Sequence, residues 1–133
     1  MLDHVSIGVR DLERAGAFYD AVLTTLGYIR LFTHPRAIGY GVAGAKDEAF
    51  ALLRSGDEAR APGLGCHVAI AAPSREAVDA FHAAATTLGA ANEGTPGPRP
   101  AYGEHYYAAF VRDLDGYRIE AVCHQPSVTT TGA

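Results

Sequence analysis

The feature that most constrains this chain is that it repeats itself. Residues 4–19 read HVSIGVRDLERAGAFY, and residues 67–82 read HVAIAAPSREAVDAFH. At an offset of 63, His4 matches His67, Val5 matches Val68, Ile7 matches Ile70 and Phe18 matches Phe81. One residue drops out, and TTLG at 24–27 recurs at 86–89. A period this long exceeds that of solenoid repeats and points to a duplicated module. The expected modules are residues 1–63 and 64–125, followed by a tail at 126–133 that ends in a frayed SVTTTGA.

Each module opens with an alternating strand, so Val5, Ile7 and Val9 share one face while His4, Ser6 and Gly8 share the other. Asp11 and Ser74, again 63 apart, are N-cap candidates for a helix. Gly27 and Gly89 suit the helix ends. Val78, Phe81, Ala85 and Leu88 form an apolar helical stripe. AIGYGV and AFALLR, then YYAAFV and YRIEAV, read as strands joined by polar turns. Residues 92–104, with three prolines and three glycines, read as a loop. The expected class is α+β: βαβββ twice over, with the faces away from the helices curving side by side around a cleft.

Composition narrows the function. The 133 residues carry 11 Lys and Arg against 15 Asp and Glu, a formal charge of -4, without a basic run. Nucleic acid is not an expected partner. No apolar stretch is long enough to span a bilayer, and the charged N-terminus does not read as a signal peptide. A cytoplasmic location is expected, with neither membrane nor nucleic acid as partner. Cys66 and Cys123 lack the spacing of a zinc knuckle or redox pair and read as small core residues.

His4, His67 and Glu120 stand apart. The histidines hold equivalent positions in the repeat, and Glu120 interrupts the apolar final strand. A carboxylate there is costly to bury unless it is paired or bound to a metal. Two imidazoles and a carboxylate make a ligand set for a divalent ion such as Fe, Mn, Ni or Zn, with coordination positions left open. Under an offset of 68, which aligns Asp47 with Asp115, Leu52 stands where the second module has Glu120. Arg118 shares strand parity with Glu120 and suits an anionic substrate.

Three segments together resemble the vicinal oxygen chelate superfamily of glyoxalase, bleomycin-resistance, fosfomycin-resistance and extradiol-dioxygenase proteins. They are DHVSIGVRDLERAGAFYDAVLTTLGY, CHVAIAAPSREAVDAFHAAATTLGA and AAFVRDLDGYRIEAV. The resemblance implies paired βαβββ modules and a metal held in the cleft by His4, His67 and Glu120. It also places Phe110 in the cleft, and Tyr106, of the same parity, beside it. Leu52 lacks the fourth ligand of glyoxalases, and Phe110 with Asp113-Leu114 departs from the extradiol signature. The expected activity is that of a small metal-dependent enzyme of lyase, isomerase or dioxygenase type, acting on an oxygen-bearing small molecule. The alternative is a metal-free, drug-sequestering binding protein. A homodimer is expected, since closed two-fold dimers are common and open sheet edges favour one.

Overall fold

The computed structural model describes residues 1–127; the expected frayed end lies almost wholly outside them. Alternating strand and helix patterns resolve into β1 (Val5–Val9), α1 (Leu12–Thr24), β2 (Tyr28–His34), β3 (Ala37–Val42) and β4 (Phe50–Arg54). The second module repeats this as β5 (Val68–Ala71), α2 (Arg75–Thr87), β6 (Ala91–Pro98), β7 (Tyr107–Arg112) and β8 (Arg118–Cys123). The sheets have the orders β1-β4-β3-β2 and β5-β8-β7-β6. In each, the first strand pairs in parallel with the last, and the meander pairs antiparallel. The fold is therefore α+β and consists of two βαβββ modules.

Both helices start where capping chemistry dictates. Asp11 Oδ1 accepts the Arg14 amide at 3.0 Å, and Ser74 Oγ accepts the Ala77 amide at 3.1 Å. Gly27 and Gly89 lie past the ends at φ +88° and +104°, where a side chain would be strained. Val78, Phe81 and Ala85 of α2 are fully buried, but Leu88, expected in the same stripe, is exposed beyond the last helical turn.

One continuous core takes Ile7 and Val9, Phe18 and Val22, Phe81, Ile119 and their neighbours from both modules. The modules meet through their helix-bearing faces, with α1 against α2. Polar contacts cross the seam, the first of them buried. Tyr19 donates its hydroxyl to Asp113 Oδ2, the Asp115 carboxylate accepts the Arg10 amide at 2.9 Å, and Tyr117 donates to the Gly8 carbonyl at 2.7 Å. The repeat leaves open whether the cleft forms within one chain or across two; within this chain the open faces do not curve side by side. Apolar strand faces need burial more than polar ones need company, so they pack together and leave the other faces outside.

Three further expectations change. Residues 91–98 are strand β6 rather than loop. It is an edge strand, which tolerates Pro96 and Pro98, and register shifts after Asn92 and Gly94 absorb its irregularity. Cys66 is exposed ahead of β5, whereas Cys123 is buried. Leu52 does not line a cleft. It is fully buried in the shared core. In the ladder Ser6 faces Ala51 as Ala69 faces Glu120, so Ala51 is the counterpart of Glu120. A shift of one residue turns a strand side chain to the opposite face.

Candidate functional site

The open face of the second sheet carries the site. On β8, Ile119, Ala121 and Cys123 enter the core, which turns Arg118 and Glu120 the other way. On β7, Ala109 and Val111 enter the core, and Phe110 lies directly opposite Glu120 in the ladder. His67 immediately precedes β5, whose Ala69 pairs with Glu120. The alternation of each strand thus aims the His67, Phe110, Arg118 and Glu120 side chains at one surface.

Glu120 is the centre of the group. Its side chain is 2% exposed, while that of His67 is 49% exposed. His67 Nε2 lies 3.0 Å from Glu120 Oε1. Tyr106, just ahead of β7, donates its hydroxyl to Glu120 Oε2. Burial, then the hydrogen bond to the Glu120 carboxylate, pushes the Tyr106 phenol up to about 12. The phenol therefore keeps its proton at neutral pH and fixes the carboxylate with Oε1 towards His67. Around this centre stand aromatic rings. Phe110 is 6.5 Å from the His67 ring, and Tyr106 meets Tyr102 and His124 edge-on at 5.4 and 5.1 Å. Arg118 shares a depression with Cys66, His67 and Phe110.

His4 is elsewhere. Its Nδ1 is 2.6 Å from Asp3 Oδ1, a contact that raises the imidazole pKa, and its side chain is half exposed. It borders a depression between the modules, lined by Tyr28, Tyr40 and Phe50 of the first and by Val68 to Ala71 of β5. Among the described residues of one chain, no three His, Cys, Asp or Glu side chains come together as a metal-binding group. The chain joins two of its three expected ligands.

The donor chemistry of that pair suits a divalent ion. An imidazole nitrogen and a carboxylate oxygen 3.0 Å apart have the spacing of neighbouring ligands that each sit about 2 Å from one ion. Both groups lie on the sheet face away from the core, His67 half exposed and Glu120 buried, and the second carboxylate oxygen is oriented by Tyr106 as ligating carboxylates commonly are. His67 and Glu120 would hold the ion. Completion of the set needs a donor from outside this face.

A family model described as the glyoxalase/bleomycin resistance protein/dioxygenase superfamily matches residues 1–121. The chain belongs to that superfamily. Among solved structures, a glyoxalase/bleomycin resistance protein from Albidiferax ferrireducens T118 is similar, at 36% identity and TM-score 0.80, covering 95% of this chain and 99% of that one. A glyoxalase from Bacillus halodurans, described there as putative, shares 27% identity at TM-score 0.67, with 92% and 95% covered. The fosfomycin resistance protein FosX from Listeria monocytogenes shares the fold at 20% identity and TM-score 0.67, with 92% of each chain covered. No curated protein matches the chain. No helix among the described residues is long and apolar enough to cross a membrane.

Within this superfamily frame, reasoning from sequence missed two features of the site. The Tyr106–Glu120 hydrogen bond was invisible because parity gives a face and not a partner. Arg99, whose guanidinium lies 5.5 Å over the Phe110 ring, was hidden in a segment read as loop. The aromatic residue it covers was the only available signal.

Proposed function

We propose that this superfamily member is a cytoplasmic, metal-dependent enzyme acting on a small molecule with two neighbouring oxygens. Its ligands are His67 and Glu120 of one chain and His4 of a second copy in a two-fold dimer. The observation that carries this reading is the approach of His67 Nε2 to Glu120 Oε1 on an open face, at 3.0 Å. The partner's His4 is the natural third donor, because it holds the repeat position of His67 and is half exposed on the other module. Two-fold symmetry would make two equivalent sites from one contact.

A bound divalent ion would supply Lewis-acid polarisation of the paired oxygens, the chemistry common to lyase, isomerase and dioxygenase reactions of this kind. The chain's own residues do the rest. Tyr106 holds Glu120 in place through Oε2. Phe110 and Tyr102 offer apolar walls that limit water. Ala51, the counterpart of Glu120 in the first sheet, offers no fourth ligand and leaves a coordination position for substrate.

Metal analysis of purified protein tests this reading. Wild type loaded with Fe(II), Mn(II), Ni(II) or Zn(II) is expected to hold near-stoichiometric metal, and Glu120→Ala to hold almost none. A second reading is favoured by the same contacts. Both Glu120 oxygens already have protein partners, as a metal-free binding protein would require. Wild type that takes up none of the four ions would support that reading over the enzyme.

A further inference from the structure

We propose that the molecule bound at this face carries a carboxylate, and that Arg118 receives it. This names the substrate class of the site above and rests on that reading for where the reacting oxygens lie. The argument begins with register. Arg112 and Arg118 are direct partners across β7 and β8, one pair on from Phe110 and Glu120 by strand parity. Like charges opposite each other in a ladder repel. Glu93 on β6 answers Arg112 alone, with Oε1 2.5 Å from its Nη2. Arg118 has no ion pair and no side-chain hydrogen bond with any described residue. Yet it is half-buried beside His67 and Phe110.

The neighbouring charges do not supply a partner. Glu120 is engaged by His67 and Tyr106. Arg99 adds a second guanidinium, over the Phe110 ring, and spends its N–H groups on the Thr95 and Pro98 carbonyls rather than on a carboxylate. A chain of formal charge -4 thus has a local excess of positive charge around Phe110. Residues scattered through the sequence reach it by topology, without forming a basic run. A guanidinium kept partly from water without a counter-ion is costly, and its planar fork matches a carboxylate. With Glu93 and Glu120 close by, a singly charged group fits the balance better than a dianion. The anion would sit against the Phe110 ring, and its neighbouring oxygens would reach towards His67 and Glu120.

The test uses the full chain, stripped with EDTA, and a matched pair of probes: mandelate, which has a carboxylate beside a hydroxyl, and its uncharged amide. Titrations followed by NMR are expected to show wild type preferring mandelate by about tenfold, the scale of one charge-assisted contact. Arg118→Gln should erase the preference, and Arg14→Gln, on the exposed side of α1, should retain it. Equal affinity for the two probes, no binding of mandelate, or a preference that survives Arg118→Gln would overturn the proposal. So would light scattering that shows Arg118→Gln dissociating a dimer, because Arg118 would then answer a carboxylate of the second copy. Metal uptake, measured in parallel, separates the two readings. A carboxylate preference in protein that binds no metal sinks the enzyme and leaves this inference standing.

Discussion

A carboxylate in the middle of a buried strand must find partners or lose its charge, and Glu120 finds two. Tyr106 is its donor on one oxygen and His67 its neighbour on the other. Because part of the rise in the Tyr106 pKa to about 12 comes from the Glu120 hydrogen bond and charge, Glu120→Gln should move that phenol back towards 10. Ultraviolet titration would show one tyrosine ionising earlier than in wild type; an unchanged curve would mean that the hydrogen bond is absent in solution. Asp113 makes the opposite bargain. Burial raises its carboxyl above 3.8, against the opposing effect of hydrogen bonds from Tyr19 and the Tyr117 and Asp115 amides. A folded-state pKa above the unfolded one means the native state binds the extra proton. The stabilisation from that proton is complete below about 3.8 and is lost as pH rises through the raised value. Wild type should therefore gain stability relative to Asp113→Asn as the pH falls through that window, as read by urea unfolding. A difference that is flat with pH would contradict the account.

At the scale of elements, one strand decides how the first module is read. Leu52 and Leu53 are adjacent in β4, yet the first is fully buried and the second is 42% exposed. Leu52→Ala should cost about 3 kcal/mol in urea unfolding, as large-to-small changes do in a packed core. Leu53→Ala should cost less than about 0.5 kcal/mol. Comparable losses would show that the register is wrong. This is where sequence reasoning slipped. The alternation within each strand, the caps at Asp11 and Ser74 and the glycines after each helix were legible, because each is a local rule with a local cause. The alignment of β4 with β8 had no such anchor, since the connecting turns differ in length, and a slip of one residue put Leu52 in place of Ala51. Strand β6 was illegible for a related reason. Pro96 and Pro98 break the usual strand signal, and only its edge position makes them tolerable.

For the whole molecule, the repeat revealed two modules but not how they meet. Their union depends on long-range contacts such as Tyr19 with Asp113 and Tyr117 with Gly8, which no periodicity encodes. Pairing of β5 with β8 explains why His67 and Glu120 meet, and packing of the helix-bearing faces leaves His4 with the first module, beside Asp3. In the proposed reading the third ligand therefore comes from a second copy. The most direct measurement is metal binding by mixed variants. His4→Ala and Glu120→Ala, each pure, should bind no metal, since every site then lacks a ligand. Mixed in equal amounts and allowed to exchange subunits, they should recover roughly a quarter of the wild-type sites, the statistical yield of a two-fold dimer in which half of the pairs are mixed and each holds one intact site. A mixture that stays empty, or either variant alone retaining full metal, would contradict a site shared between chains.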